Sequence, residues 1–291
     1  MELKQLKHFL ATLESGSLTA AAEQVGLTQQ ALSRSLARLE EQIGGKLFTR
    51  EPRGMVVTRL GETIADHARP IVAEARRLHD AANAELGLER GRLIIGLSPV
   101  AATTSAGAKV MAFALSHPNL RIDIQSGTDK DFVTSLHRGD IDLAISGQLG
   151  GVVDSILLDQ LLVEQWGVVG CARNAILAGA KNLADLAGQR WIFGRNTPNL
   201  DAAIAESFID SGMAAPRPRI VTTQGLAVIN TLRSSDYLAI LPRSMCEADE
   251  SLRWRDLADG QWKAPLFLMR RKRALTDSVL KALLREFGVS A

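Results

Sequence analysis

The chain has 291 residues, of which 46% are hydrophobic and 23% are charged, and its formal net charge is +2. This length allows two or three domains with buried cores, since one domain takes roughly 100–200 residues. The small net charge does not favour nucleic-acid binding by the chain as a whole. No apolar run approaches the roughly 20 residues that span a bilayer, and the first residues lack a secretory core. We therefore expect a cytoplasmic protein with no membrane partner.

The first 28 residues predict two helices separated by glycine. Leucines recur at helical spacing in the first of them, at Leu3, Leu6, Leu10 and Leu13. Gly16 lies where that helix would end, and Ser17 is a suitable N-cap for a second helix that runs to Val25. Gly26 then predicts a sharp turn, because glycine adopts a positive φ at little cost.

A third helix is predicted to begin after Thr28, which can cap it. Its apolar side chains fall on one face: Leu32, Leu36, Leu39 and Ile43. The opposite face presents Gln29, Gln30, Ser33, Arg34, Ala37 and Arg38. Glutamine can bond bidentately to adenine and arginine to guanine, and small side chains let a helix enter the major groove deeply. The alternative is an ordinary solvent-facing helix, but the turn before it and the hairpin after it favour DNA recognition.

The residues after the third helix predict a basic hairpin, or wing. Leu47 and Phe48 can anchor its base while Arg50, Arg53 and Arg59 point toward backbone phosphates. Between Thr28 and Leu60 six basic residues face three acidic ones, so this segment carries a local positive excess. Such an excess is what phosphate contacts require, and the layout is that of a winged helix-turn-helix.

From Leu60 to about Leu88 the pattern predicts one long helix. Apolar residues recur with a mean spacing of 3.5, at Ile64, Ala68, Ile71, Ala75, Leu78 and Ala82. The same helix of a second subunit is the simplest partner for this seam, and packing on its own domain is the alternative. Pro70 is expected to bend or weaken the helix locally.

After Gly91 the pattern becomes that of an α/β domain. Strands are predicted at 92–97, 121–125, 142–146, 165–171, 190–193, 220–222, 237–241 and 264–269. Helices are predicted at 106–116, 132–138, 200–211, 226–233 and 276–287. Strands that alternate with helices imply parallel sheet with crossover helices, here in two units with a cleft between them.

Enzyme and metal signatures do not occur in the sequence. It has no GxGxxG after a strand, no GxxxxGK[ST] and no GxSxG, and its five histidines are dispersed. We expect neither an enzyme nor a cofactor or metal. Cys171 and Cys246 lie in or beside apolar segments, which favours buried thiols, with a redox-sensing pair as the alternative. The basic run from Arg270 to Arg273 predicts a solvated corner, with an extra nucleic-acid contact as the alternative.

Together these features resemble the LysR-type transcriptional regulators. The resemblance is most specific at GSLTAAAEQVGLTQQALSRSLARLEEQIGGKLF and TREPRGMVVTRLGETIADHAR, and it extends through HPNLRIDIQSG, LHRGDIDLAIS and YLAILP. It implies an α/β multidomain protein with an N-terminal winged helix-turn-helix (1–60) and a long linker helix that dimerises (61–90). The C-terminal effector-binding domain (91–291) would resemble type 2 periplasmic binding proteins. Its lobe I would comprise about 91–161 and 266–291, its lobe II about 162–265, with crossings near 158–166 and 260–266.

The resemblance also implies partners and contacts. The partners would be double-stranded promoter DNA, a small-molecule effector, further copies of the chain in a dimer or tetramer, and RNA polymerase if the protein activates. Residues equivalent to Gln29, Ser33 and Arg34 contact bases or nearby phosphates, and those equivalent to Arg50 and Arg53 contact the DNA backbone. Gln30 stands where the family often has proline, so base reading by Gln30 would be particular to this chain.

Polar residues after the predicted strands indicate where an effector would bind. Ligands settle beyond the carboxyl ends of strands in open α/β sheets. In lobe I these positions hold Ser98, Thr103, Thr104, Thr128, Gly147 and Gln148, and in lobe II they hold Thr197, Asn199 and Thr223. Each hydroxyl taken alone could equally be a helix cap. Arg195 is the only arginine in these loops, so we expect a small organic acid or similar polar metabolite held mainly by neutral donors.

Overall fold

The computed structural model describes residues 1–51, 54–85, 92–147, 155–194, 198–222, 224–272 and 278–290. Some side chains at the borders of these ranges are excluded: those of Arg50, Asp80, Ala81, Asn83, Ala84, Glu85, Pro198 and Ser278. The predicted site residues Arg53, Gln148, Thr197 and Thr223, together with Arg195 and Arg273, lie outside the described residues.

Three helices and a hairpin form the N-terminal unit. They are α1 (Leu3–Ser15), α2 (Leu18–Gln24), α3 (Gln29–Ile43), β1 (Phe48–Glu51) and β2 (Gly54–Val57), and the two strands pair antiparallel. Phe9, Leu32 and Leu39 are fully buried in a shared core, and the Phe9 ring lies 5.3 Å from that of Phe48. Leu3, predicted to belong to the buried stripe, is instead 38% exposed, because the core extends only from Leu6 onward.

Two glycines permit the turns that close this unit. Gly26 has a φ of 67°, which fits the sharp turn predicted between α2 and α3. Gly54 opens β2 with a φ of 127°, and a Cβ there would lie 2.6 Å from the carbonyl oxygen of Gly16. The next amide, that of Met55, donates to this oxygen at 2.9 Å. The wing is therefore held against the turn between α1 and α2.

The long helix α4 (Arg59–Glu85) continues through Pro70. Ala65 and Ala68 are buried in the core of the N-terminal unit. Ile71 and Leu78 are 46% and 73% exposed. Of the predicted seam, Ile64 and Ala68 pack on the N-terminal core and Ala75 is half-buried, whereas Ile71, Leu78 and Ala82 are exposed within the described residues.

The C-terminal domain contains one mixed sheet. Its strands are β3 (Arg92–Leu97), β4 (Arg121–Gln125), β5 (Leu143–Ser146), β6 (Ile156–Cys171), β7 (Trp191–Gly194), β8 (Ile220–Thr222), β9 (Leu238–Pro242), β10 (Leu252–Arg255) and β11 (Trp262–Arg271). The strand order is β4-β3-β5-β11-β6-β9-β7-β8, and β10 also pairs with β6. As predicted, two parallel units exist, since β3 is parallel to β4 and β5, and β7 is parallel to β8 and β9.

Helices cover both units. They are α5 (Pro99–Thr103), α6 (Ser105–Ser116), α7 (Asp129–Arg138), α8 (Ala175–Gly179), α9 (Pro198–Asp210), α10 (Gly225–Arg233), α11 (Arg243–Cys246) and α12 (Ser278–Glu286), with a 3-10 helix at Leu183–Leu186. The C-terminal helix α12 buries Leu280, Leu283 and Leu284 in the same core as β3, β5 and α6. α12 therefore packs on the first parallel unit, which is called the first lobe below, and the unit of β7, β8 and β9 is called the second lobe.

Two long strands join the lobes. β6 and β11 pair antiparallel from Trp166↔Trp262 to Ile156↔Arg271. The predicted strand at 165–171 was too short, because β6 begins at Ile156. Its first nine residues are mostly half-buried or exposed, so they lack the regular alternation that marks a strand.

The segment between the predicted strand at 92–97 and the predicted helix at 106–116 contains an additional short helix, α5. The Ser98 hydroxyl accepts the amide of Ala101 at 3.2 Å and Pro99 occupies the first turn, a combination that favours a helix start. Among the described residues, no helix is both long enough and apolar enough to cross a membrane.

Candidate DNA-reading surface and effector cleft

The polar face of α3 is open to solvent. Gln29, Gln30 and Arg34 are exposed, and within the described residues their side chains form no hydrogen bond or ion pair. Arg38, one turn further on, is also exposed, and Ser33 is half-buried. The opposite face is anchored, since Leu32 and Leu39 are fully buried. The helix therefore presents free donors on a rigid support, as base reading in a major groove requires.

A histidine on α1 positions the middle of α3. His8 Nδ1 lies 2.7 Å from the Ser35 hydroxyl. Burial lowers the pKa of His8 below its usual value of 6.5, and the nearby charge of Lys4 acts in the same direction. The ring is therefore neutral at neutral pH, and the contact with Ser35 is an uncharged hydrogen bond.

The base of the wing is held by Glu40, a residue whose role the sequence did not reveal. Its Oε1 accepts the backbone amides of Leu47 at 2.9 Å and Phe48 at 3.4 Å, and its Oε2 lies 2.7 Å from Lys46 Nζ. The side chain of Glu40 is only 12% exposed. One of the three acids in the basic segment is thus turned inward and paired with Lys46, so the five other basic residues still outnumber the two other acids by three.

Replacing Glu40 with alanine should loosen the wing. The change leaves two backbone donors without their acceptor, at a cost of about 1–3 kcal/mol of local stability. Amide hydrogen exchange at Leu47 and Phe48 is expected to accelerate, whereas Glu41→Ala, at the exposed neighbouring position, should leave it unchanged. Equal protection in both variants would contradict this role for Glu40.

The predicted effector residues of the first lobe lie at the carboxyl ends of β3, β4 and β5. The Ser98 amide donates to the Ile145 carbonyl at 3.0 Å, which joins the ends of β3 and β5. Ser146, the last residue of β5, donates to Asp129 at the start of α7. Thr128 accepts the Asp131 amide as the cap of α7, and half-buried Gly147 directly follows β5. These groups share one edge of the sheet, where the sequence placed them.

Most of these hydroxyls already have partners. The buried Thr104 donates to the Ala101 carbonyl at 2.8 Å and accepts the Ala106 amide at 3.2 Å. Ser98 and Thr128 are likewise occupied as caps of α5 and α7. Thr103 is exposed, and its hydroxyl lies 2.9 Å from that of Ser244 on α11. Thr103 is therefore the predicted hydroxyl that reaches the second lobe.

The second lobe supplies fewer of the predicted groups. Asn199 is exposed in the first turn of α9. Thr222, which the sequence analysis did not single out, accepts the Gln224 amide at 3.0 Å at the start of α10.

An open hollow of about 460 Å³ lies where the two lobes meet. It is lined by Thr103, Thr104, Ser105, Leu162, Glu164, Ser244, Glu247 and Ala248. Glu164, on the joining strand β6, is 7% exposed and accepts the Ser244 amide at 2.9 Å. The sequence could not reveal the contact between Glu164 and Ser244, because the two residues are 80 positions apart.

Both cysteines are buried and free. Burial, with the nearby charges of Asp249 and Glu164, raises the pKa of Cys246 to about 12. A hydrogen bond from the backbone of Arg173 lowers the pKa of Cys171. The Cys246 thiol is therefore protonated and unreactive at neutral pH.

Two family models match the chain. The model of the bacterial regulatory helix-turn-helix proteins of the lysR family matches residues 3–62, and that of the LysR substrate binding domain matches residues 86–288. The SDS degradation transcriptional activation protein of a Pseudomonas species is 32% identical over 250 residues, which cover 83% of this chain and 79% of the relative. The nitrogen assimilation regulatory protein nac of Klebsiella aerogenes is 26% identical over 255 residues, 85% of this chain and 82% of the relative.

Solved structures share the whole fold. The chain is similar to CbnR, a LysR family transcriptional regulator, with a TM-score of 0.73 and 22% identity over 99% of this chain and 98% of that one. It is also similar to a full-length OxyR variant from Pseudomonas aeruginosa, with a TM-score of 0.74 and 18% identity over 100% and 96% of the two chains. The chain belongs to the LysR family of DNA-binding transcriptional regulators, which carry an effector-binding domain and are not enzymes.

Proposed function

We propose that this regulator reads promoter DNA with α3 and the wing, as a dimer paired through α4. The observation that carries this proposal is the exposed polar face of α3, whose Gln29, Gln30 and Arg34 have no partner within the described residues. Ser33, Arg38, Arg50 and Arg53 complete the proposed contact set. Full-length CbnR bound to its target DNA has the same fold, with a TM-score of 0.73 and 23% identity over 99% of both chains.

A duplex-binding titration tests this function. The affinity for promoter fragments should fall steeply with salt, because each phosphate contact releases a counterion. At fixed salt, a fragment with the operator should bind more tightly than a shuffled one of equal length. Equal affinities for the two fragments at every salt concentration would count against sequence-specific reading.

The proposed organisation has three parts. They are a winged helix-turn-helix at 1–60, a linker helix at 61–90 and an effector-binding domain at 91–291, with lobe II at about 162–265. The family matches to 3–62 and 86–288 support these limits. We place the protein in the cytoplasm, where its DNA is, with RNA polymerase as a further partner if it activates.

The exposure of the seam residues Ile71 and Leu78 supports the proposed dimerisation through α4. Leu78→Asp puts a charge where a partner helix would bury leucine, so we expect the dimer to weaken at least about tenfold. His79→Asp adds the same charge at an exposed position off the seam and should leave the dimer intact. Sedimentation equilibrium distinguishes the variants, and an unchanged dimer in Leu78→Asp would place the subunit contact elsewhere.

The effector is proposed to be a small polar metabolite that binds between the lobes. Thr103 on the first lobe and Ser244 on the second already touch, so a ligand in this region contacts both lobes. A ligand that binds one lobe arrangement more tightly than another shifts the population toward that arrangement. This shift would change the packing of dimers in a tetramer, and with it the spacing of the DNA-reading units.

A further inference from the structure

The hollow between the lobes contains a buried carboxylate without a cation. Glu164 is 7% exposed, and the described residues supply it one hydrogen bond, from the Ser244 amide, and no ion pair. Burying a carboxylate is unfavourable unless a positive charge or several donors compensate for the lost hydration. Because Glu164 lines an open hollow of about 460 Å³, a bound molecule can supply the missing charge.

Among the described residues, the side chains that line the hollow are acidic or neutral. Glu247 also lines the hollow, and its partner Arg243 lies 3.3 Å from it, on the same helical turn. At the neighbouring sheet edge, Asp129 accepts a hydrogen bond from Ser146 and has no ion pair within the described residues. A carboxylate ligand would meet repulsion here, since like charges at short range disfavour each other.

Hydroxyl groups complete the lining. Thr103 and Ser105 come from the first lobe and Ser244 from the second. The hydroxyls of Thr103 and Ser244 bond only each other or the backbone, so each can still pair with a ligand hydroxyl. The hollow therefore offers one buried negative charge surrounded by neutral hydrogen-bonding groups.

We propose that the effector carries a protonated amine together with hydroxyl groups, and that its ammonium pairs with Glu164. This inference rests on the proposed function, because it assigns the charge of the effector in the cleft between the lobes. It favours an amino alcohol or amino sugar over the organic acid that the sequence predicted. The ligand also joins the lobes, since Glu164 is bonded to α11 of the second lobe and Thr103 belongs to the first.

Three small probes that differ mainly in charge test this proposal. Ethanolamine is a cation, ethylene glycol is neutral and glycolate is an anion, and all three are similar in size. Binding of each to the full-length protein is measured by calorimetry at neutral pH. Ethanolamine is expected to bind most tightly and glycolate least tightly. Glu164→Gln keeps the acceptor for the Ser244 amide but removes the charge, so it should weaken ethanolamine binding about tenfold or more.

Glu206→Gln is the matched control, because Glu206 is exposed on α9 outside the hollow. It should leave ethanolamine binding unchanged. The proposal is overturned if glycolate binds as tightly as ethanolamine, if no probe binds, or if Glu164→Gln binds ethanolamine like the unaltered protein. Promoter binding is measured on the same preparations. If the unaltered protein binds the promoter but not the amine, only this inference is rejected. If the unaltered protein shows no specific promoter binding, the proposed function is rejected.

Discussion

Replacing Arg34 with alanine is expected to weaken specific operator binding by about 1–3 kcal/mol, the usual contribution of one bidentate arginine–guanine contact. Arg34 is exposed on the polar face of α3 and has no partner within the described residues, so its guanidinium is free to meet a base. The fold should not change, because no intramolecular contact is lost. Fluorescence anisotropy with an operator duplex and a shuffled duplex measures the effect, and the loss should be larger for the operator.

Arg217→Ala serves as the charge-matched control for Arg34→Ala. Arg217 is exposed in the second lobe, outside the N-terminal unit, so its removal changes the net charge equally without touching α3. Operator affinity should be unchanged in this control. An Arg34→Ala protein that binds the operator like the control would contradict the assigned reading face.

Asp142→Asn is expected to destabilise the protein, because the Asp142 carboxylate joins the linker helix to the sheet. The Asp142 carboxylate is 4% exposed and lies 3.1 Å from Arg77 Nε and 3.2 Å from Arg76 Nη2, both on the linker helix. It also accepts the Ile94 amide at 2.8 Å. Removing the charge leaves the buried Arg77 with only its pair to the exposed Glu74, 2.9 Å away. Breaking a buried ion pair costs about 3–5 kcal/mol, and the remaining pair with Glu74 places the expected loss toward the lower end of that range.

Denaturant unfolding and hydrogen exchange measure the effect of Asp142→Asn. Amides of α4 should lose protection, because Arg76 and Arg77 lose their anionic partner, whereas asparagine keeps an acceptor for the Ile94 amide. Asp123→Asn is the control, because Asp123 pairs with Arg92 and Arg121 at the exposed end of the sheet, where ion pairs contribute little. If the two variants unfold alike, the linker helix is not anchored through Asp142.

Asp142 links the linker helix to the strand that ends at the proposed effector site. It directly precedes β5, whose last residue, Ser146, bonds Asp129 at the effector edge. A single four-residue strand thus connects the linker helix at one end with the cleft at the other. If ligand binding moves the cleft edge, β5 would pass this movement to α4. We propose that α4 is the helix that pairs the subunits.

The N-terminal unit was predictable because its signals are local. Thr28 accepts the Ala31 amide and Gly26 adopts a positive φ, as their types and positions indicated. The apolar spacing of α3 likewise identified Leu32 and Leu39 as core residues. The polar face of α3 could then be assigned, because it lies on the side of the helix opposite the buried apolar residues.

Contacts between distant segments were not predictable. Arg77 and Asp142 are 65 residues apart, and Glu164 and Ser244 are 80 apart. The local sequence pattern does not mark the carboxylates of Asp142 and Glu164 as buried. Around Glu164, for example, β6 lacks regular alternation of apolar and polar residues. Ser98 and Thr104 cap α5 and α6, which is the alternative that the sequence left open for each hydroxyl, and their part in effector binding stays a prediction.

Hydroxyl-radical footprinting of the full-length protein on its own promoter tests the central claim most directly. Two copies of α3, paired through α4, should protect two half-sites on one face of the duplex, separated by one helical turn or a multiple of it. Arg34→Ala should remove protection at both half-sites together. A single protected site, or uniform weak protection without a repeat, would contradict the account.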